Sequence, residues 1–147
     1  MVKSIASRVM TEPKTRKTKA TKAQSDPSGV SIVVRVDLGP AGHIGPGKIA
    51  LLERIDELGS ISASGRSIGM SYRQAWELVD QLYTVFSERV ATQHAGGRSG
   101  GGATLTEFGK ALVARYRAIS ETASTTAAIH IDALSSSLKK TGETGGE

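Results

Sequence analysis

Apolar residues recur at two different spacings along this chain, and the change of spacing separates its predicted elements. Residues 30–38 (VSIVVRVDL) are rich in Val and Ile and alternate with polar residues near their end, which predicts a β-strand. After Pro46 the apolar residues return every three or four positions, as one buried face of an α-helix requires. Gly59 is expected to end this first helix. Its predicted buried face consists of Ile49, Leu51, Leu52, Ile55 and Leu58.

A short helix and a longer helix are predicted next, with Gly69 between them. The short helix runs through ISASGRSI, where Gly65 costs about 1 kcal/mol relative to alanine and predicts a soft helix. Ser71 is a natural N-cap for the longer helix, and Gln74 completes a capping box. Two helices joined through a glycine turn are typical of a helix-turn-helix. The longer helix has an apolar stripe that consists of Ala75, Leu78, Val79, Leu82 and Phe86.

The remainder of the chain predicts a β-hairpin and one long helix. The β-prone pieces RVATQ and ATL flank a loop made mostly of glycine, which is the pattern of a wing. Thr106 is the expected N-cap of the last helix, and the weak helix formers of ASTTAA (residues 123–128) suggest a break within it. The preceding domain is too small to cover the whole apolar stripe of this helix, so we expect homodimerisation there. The predicted dimer-facing residues are Leu112, Tyr116, Ile119, Ala123, Ala127, Ile131 and Leu134.

These elements together predict a mainly α fold with a small β-hairpin wing, that is, an α+β winged helix-turn-helix. The predicted division has a disordered basic tail at residues 1–29 and the DNA-binding domain at residues 30–105. The long dimerisation helix follows at residues 106–138, and residues 139–147 form a second disordered tail. Aromatic residues make up only 4% of the chain, which fits a small core.

The net charge of +5 belongs entirely to the N-terminal tail. Residues 1–29 contain seven Lys and Arg against two acidic residues, and the rest of the chain has 12 of each sign. A cationic segment is attracted to polyanions, of which nucleic acid is the commonest. The alternative interpretation is a solubilising tail that has no partner.

One stretch, AGHIGPGKI, imitates a phosphate-binding loop. Gly42, Gly47 and Lys48 have the GxxxxGK spacing. However, Ile49 stands where the motif needs Ser or Thr to hold magnesium, and Pro46 lacks a backbone N–H that would bind phosphate. We therefore interpret the stretch as a turn that begins a helix and expect no nucleotide there.

The residues needed for catalysis or metal binding are also missing from the pattern. The chain has no cysteine, and its three histidines, His43, His94 and His130, show no ligand spacing. We expect no enzyme activity, no cofactor and no metal. Because the sequence shows neither a signal-peptide core nor a membrane-length apolar run, we expect a cytoplasmic protein without a membrane partner.

The second helix of a helix-turn-helix places its N-terminal residues against base edges in the major groove. Arg73 suits guanine and Gln74 suits adenine, while Glu77 either accepts from cytosine or orients Arg73. Trp76 is expected in the core or at an interface. The predicted contacts to double-stranded DNA are Ser62, Ser64, Arg66, Ser71, Tyr72, Arg73, Gln74, Glu77 and Arg98.

Two long motifs resemble a known family. GPGKIALLERIDELGSISASGRSIGMSYRQAWELVDQL and GGRSGGGATLTEFGKALVARY closely resemble the N-terminal DNA-binding domain of the ModE family of molybdate-responsive regulators, and more distantly LysR-type winged helices. The resemblance covers about residues 30–116. It implies a winged helix-turn-helix, homodimerisation through the terminal helices, and operator binding by the second helix.

The resemblance does not extend to molybdate sensing. Full regulators of the family continue into molybdate-binding domains with a SARN-type motif, which this sequence does not show. Molybdate sensing is therefore not carried over to this chain and no small-molecule effector is evident, although control of molybdate-related genes fits. The predicted function is a sequence-specific DNA-binding regulator. Two alternatives stay open: a winged-helix module that binds another protein, and a heterodimer partner of a full-length ModE-type regulator.

Overall fold

The computed structural model describes residues 29–95 and 102–139. Over these ranges the chain forms an α+β fold with four α-helices and two small antiparallel sheets. The helices are α1 (Pro46–Leu58), α2 (Ile61–Ser67), α3 (Tyr72–Val85) and α4 (Glu107–Ser136). The strands are β1 (Val36–Asp37), β2 (His43–Ile44), β3 (Ala91–His94) and β4 (Gly102–Leu105). The predicted α+β class with a long C-terminal helix is confirmed, whereas most of both predicted tails lies outside the described residues.

The strand predicted at residues 30–38 is mostly wrong. Only Val36 and Asp37 pair, with Ile44 and His43 of β2. The alternation of the preceding residues is real, but β2 is two residues long and offers no partner strand to them. The segment is held by α4 instead, since the Tyr116 hydroxyl donates to the Val34 carbonyl at 2.7 Å.

The glycine-rich stretch begins a helix, as predicted. Gly45 is the N-cap of α1 and Pro46 occupies its first turn, where the missing N–H costs nothing. Lys48 is buried, and its Nζ donates to the His43 carbonyl at 2.7 Å. Burial lowers the pKa of Lys48. The lysine therefore ties α1 to β2 within the protein, where a nucleotide phosphate has no access to it.

Helices α2 and α3 approach each other closely because residue 65 is glycine. A Cβ atom at Gly65 would lie 2.7 Å from the Cβ of Ala75. The Met70 amide donates to the Gly65 carbonyl at 2.8 Å, and Gly69 turns the chain with a left-handed φ of 76°. Glycine at position 65 is therefore required by helix packing. The sequence predicted only that it would make α2 soft.

The core lies where α1, α3, the β3–β4 hairpin and the first turns of α4 meet. The predicted stripes of α1 and α3 face it, with one exception: Leu58 is 49% exposed. Leu58 is the last residue of α1, and the left-handed Gly59 turns the chain away directly after it. The buried members of these stripes are Ile49, Leu51, Leu52, Ile55, Ala75, Val79 and Leu82.

Helix α4 packs on the domain through its N-terminal turns. The Thr106 hydroxyl accepts from the Gly109 amide at 3.0 Å, which confirms the predicted N-cap. A Cβ at Gly109 would lie only 2.0 Å from the Val90 carbonyl oxygen, so the helix crosses the backbone before β3 at a glycine. The break expected at residues 123–128 is wrong, since α4 is continuous for 30 residues.

Candidate nucleic-acid interface

The N-terminus of α3 is fixed by reciprocal hydrogen bonds. The Ser71 hydroxyl accepts from the Gln74 amide at 3.2 Å, and the Gln74 Oε1 accepts from the Ser71 amide at 2.9 Å. The predicted capping box is therefore confirmed. Because two otherwise orphan backbone donors are satisfied within the chain, the first turn of α3 has a defined shape before any ligand binds.

This first turn protrudes from the domain. Ser71, Tyr72, Arg73 and Gln74 are all exposed, and Tyr72 shows 61% of its surface to solvent. Ala75 follows directly and is fully buried against α2. The helix is thus anchored by one face while its N-terminal end stands free, which is the geometry needed to enter a groove of another molecule.

Arg73 is held by Glu77 one turn along the helix. The Arg73 Nε donates to the Glu77 Oε1 at 2.9 Å, and the two side chains are 86% and 54% exposed. Of the two roles predicted for Glu77, orienting Arg73 is the one seen in the unbound protein. An exposed i,i+4 pair contributes about 0.3–0.5 kcal/mol, so it arranges the guanidinium without locking it.

The charges of α3 follow one line along the helix. Arg73, Glu77 and Asp80 stand at i, i+4 and i+7, and all three are exposed. One positive and two negative charges leave the helix with a balance of −1. The positive charge lies at the N-terminus, where the helix dipole is also positive. Only this end of α3 is therefore electrostatically suited to face a polyanion.

The predicted backbone contacts of α2 have different fates. The prediction that Ser64 contacts the DNA backbone is wrong, because Ser64 lies on the side of α2 that packs on the domain. It is fully buried, and its hydroxyl donates to the Ser60 carbonyl. Ser62 is half-buried and Arg66 is exposed in the last turn of α2. Arg98 lies outside the described residues. Arg66 is consequently the best placed of the α2 candidates.

Trp76 lies beside the exposed end of α3 and packs against the core, in agreement with the expected core or interface position. Tyr72 meets it edge-on, with 6.0 Å between the ring centroids. The Trp76 Nε1 is buried, and it has no hydrogen-bond partner among the described residues. The pair forms a rigid aromatic flank next to Arg73.

The predicted hairpin is present as β3 and β4, which pair in antiparallel register from Ala91 with Leu105 to His94 with Gly102. The Ala103 amide donates to the Gly59 carbonyl at 2.8 Å, which fixes the hairpin to the end of α1. On its outer face the His94 Nε2 contacts the Thr104 Oγ1 at 2.8 Å. His94 lies in β3, one residue beyond the β-prone piece RVATQ, and pairs with Gly102.

Arg89 lies at the base of this hairpin and was not predicted as a site residue. Its guanidinium stands over the Tyr83 ring, 5.5 Å from the centroid. The Tyr83 hydroxyl donates to the Ala91 carbonyl at 2.9 Å, and burial raises the pKa of Tyr83. The Tyr83 ring restrains the exposed Arg89 guanidinium beside the hairpin. This contact was not predictable from the spacing of Tyr83 and Arg89, which matches neither a helix turn nor a strand pair.

The predicted dimerisation face divides into two parts. Leu112 and Tyr116 are 8% and 2% exposed within a single chain, so assigning them to a dimer interface is wrong. They fill the core of their own domain because α4 begins there. Beyond them, Ile119 is 44% and Leu134 is 60% exposed, and the other three predicted residues, Ala123, Ala127 and Ile131, are half-buried.

The described residues contain no group of three or more histidine or acidic side chains placed to hold a metal ion. None of the helices in the described ranges combines the length and apolarity that crossing a membrane requires.

Comparison with curated proteins shows which proteins part of the sequence is similar to. MopB, a molybdenum-pterin-binding protein of Rhodobacter capsulatus, is 43% identical over 77 residues, which are 52% of this chain and 28% of MopB. ModE, a molybdenum transport protein of Azotobacter vinelandii, is 40% identical over 72 residues, 49% of this chain and 27% of ModE. Over about half of its length, the chain is similar to ModE and Mop proteins. The DNA-binding transcriptional dual regulator ModE of Escherichia coli K12 is 35% identical over 71 residues, 48% of this chain and 27% of that protein.

The similarity has clear limits. The chain spans just over a quarter of the length of the curated ModE and Mop relatives named above. No family model matches the chain. The predicted resemblance to the ModE family is confirmed, and the name of the Escherichia coli protein describes a DNA-binding transcriptional regulator.

Proposed function

We propose that this chain is a sequence-specific DNA-binding transcriptional regulator built as a winged helix-turn-helix. The observation that carries the proposal is the N-terminus of α3, which protrudes from the domain with Arg73 and Gln74 exposed and with its first turn fixed by the capping box. Helix α2 precedes it across the Gly69 turn, and the β3–β4 hairpin follows it along the chain, in the order expected for a wing. The ModE relatives, one of them named a DNA-binding regulator, support the same function.

Arg73 is the main base reader in this proposal. Its guanidinium has two terminal nitrogens, which match O6 and N7 of guanine in the major groove. Gln74 has a smaller role, because its Oε1 already accepts from the Ser71 amide. Bidentate contact with adenine would have to share this oxygen with the cap bond, whereas the side-chain nitrogen is free to donate, so Gln74 contributes chiefly through that nitrogen.

Contacts to the DNA backbone flank the reading residues. Free N–H groups and the dipole at the α3 N-terminus favour a phosphate beside Ser71 and Tyr72. Arg66 on α2 and Arg89 at the base of the hairpin supply further exposed cations. The N-terminal tail adds attraction that is independent of sequence, since residues 1–29 carry a balance of +5.

We propose that the regulator is a homodimer whose interface is the exposed part of α4. From Ile119 to Ser136 the helix extends roughly 27 Å at 1.5 Å per residue. Leaving that much apolar surface in water is unfavourable, and a second α4 offers a matching face. The residues assigned to the interface are Ile119, Ala123, Ala127, Ile131 and Leu134. The same surface supports the second candidate, a heterodimer with a full-length ModE-type regulator.

The genes controlled are proposed to be molybdate-related, because the relatives' names concern molybdenum transport and molybdenum-pterin binding. No molybdate-binding role is proposed for the described residues.

The experiment that tests the proposal compares specific and random DNA. The specific DNA is a site recovered by selection from random-sequence DNA. We expect the double variant Arg73→Ala, Gln74→Ala to bind this site about 10-fold to 100-fold more weakly, because the main base contact is lost. Binding to random DNA should hardly change, since α3 contributes little to it. Fluorescence anisotropy with both DNAs gives the two affinities. Deleting residues 1–29 is the control, and it should weaken both and flatten the salt dependence. Equal loss on both DNAs in the double variant would contradict base reading.

A further inference from the structure

Arg73 has only part of its hydrogen-bonding capacity in use. The contact with Glu77 goes through the Arg73 Nε, at 2.9 Å from the Glu77 Oε1. The two terminal nitrogens of the guanidinium carry the outer N–H groups of a planar fork, and this contact does not use them. A fork of this kind matches the O6 and N7 acceptors of guanine. Glu77 can therefore keep its hydrogen bond to Nε while the terminal nitrogens bind a base.

A phosphate makes a different demand on the same site. It is negatively charged, and Glu77 stands beside Arg73 with a carboxylate that repels it. Asp80 adds a second negative charge one turn further along the same line. Contact of Arg73 with a phosphate thus sets two like charges close together, whereas contact with the neutral guanine edge does not.

We propose that Glu77 is a specificity-determining residue, which presents the terminal nitrogens of Arg73 to guanine and disfavours their contact with DNA phosphates. This inference rests on the proposed function. Glu77 would raise specificity by repelling the wrong ligand, a DNA phosphate, and proteins commonly discriminate between ligands in this way. Glu77 then acts through Arg73 and makes no base contact of its own.

Asp80→Asn provides a matched control for Glu77→Gln. Both changes remove one negative charge from the exposed line of α3, and only Glu77 forms the ion pair with Arg73. General electrostatics predicts that either change tightens binding to all DNA alike. A specific role for Glu77 predicts instead that its substitution alters the ratio between the two kinds of DNA.

The test measures affinity for a fragment recovered by selection from random DNA and for the same fragment with scrambled half-sites, at about 150 mM salt. We expect Glu77→Gln to tighten binding to the scrambled fragment more than Asp80→Asn does and to lower the specificity ratio about three- to tenfold. Asp80→Asn should leave the ratio unchanged. In an Arg73→Ala chain the two substitutions should have the same effect.

Three results would overturn the inference. Equal ratios for Glu77→Gln and Asp80→Asn would reduce Glu77 to a general charge. A loss of selected-site affinity without a gain on scrambled DNA would make Glu77 a base reader that accepts from cytosine. If the unaltered chain binds DNA without preference, the proposed function fails together with the inference, whereas an unchanged ratio in a chain that does select its site affects the inference alone.

Discussion

Helix α4 contains two regions with the same apolar periodicity and opposite surroundings. In its first turns Leu112 and Tyr116 are buried by α1, the hairpin and the N-terminal segment of the same chain. In its later turns Ile119 and Leu134 continue the spacing but remain about half exposed. Near the boundary, Arg117 pairs with Glu53 of α1, with its Nε 2.6 Å from the carboxylate.

The difference shows that periodicity predicts which face of a helix is apolar, but not what covers that face. The first turns of α4 are covered because a glycine lets them lie directly on the backbone at Val90. The later turns extend past the described part of the domain, and in the proposed dimer a second α4 covers them.

The strongest test of the buried region is Gly109→Ala. The added Cβ would lie 2.0 Å from the Val90 carbonyl oxygen, so α4 must shift off the domain. We expect a loss of about 3 kcal/mol or more in the free energy of unfolding, or failure to fold. Chemical denaturation measures it. The control is Gly47→Ala, whose Cβ would meet only Met70 at 3.9 Å and which should be neutral or slightly stabilising. Similar stability of the two variants would contradict the close contact at Val90.

The same substitution in the two regions of α4 should have two different effects. Leu112→Ala removes a buried side chain and should lower the free energy of unfolding by about 2–5 kcal/mol at any protein concentration. Leu134→Ala should leave the fold of the monomer intact and weaken the dimer. Denaturation at two concentrations and sedimentation velocity separate these effects. If Leu134→Ala leaves sedimentation unchanged, the exposed region is not the dimer interface.

Tyr116→Phe should have the smallest effect of the series. It removes the hydroxyl that donates to the Val34 carbonyl but keeps the buried ring. We expect a loss of about 1 kcal/mol in the free energy of unfolding, because one hydrogen bond is removed. Amide hydrogen exchange should accelerate in residues 30–35 more than in α1. Unchanged exchange there would show that the segment is held by other contacts.

Local signals in the sequence were sufficient for the elements that carry the site. The capping box at Ser71 and Gln74, the helix end at Gly59 and the cap at Thr106 each involve residues a few positions apart. Such rules act within one turn and need no knowledge of the rest of the fold. For that reason the exposed first turn of α3, which carries Arg73, was predictable from the sequence.

Features that depend on distant contacts were not predictable in this way. Ser64 is polar, yet it faces the domain because its hydroxyl has a partner in the preceding turn. Leu112 and Tyr116 fit a dimer stripe until the folded domain is seen to cover them. Gly65 predicts a soft α2 from the sequence, whereas in the fold it allows the close contact with Ala75. In each case the deciding contact comes from packing, which the sequence pattern alone does not specify.

In the proposed function, the first turn of α3 reads a DNA sequence as part of a dimer. Selection of bound fragments from random-sequence DNA, at about 150 mM salt to screen the tail partly, tests this reading and the dimer together. We expect a recovered palindrome that contains guanine and has half-sites about one helical turn apart. Bound fragments without any shared sequence would contradict it and leave the basic tail as the source of all DNA binding.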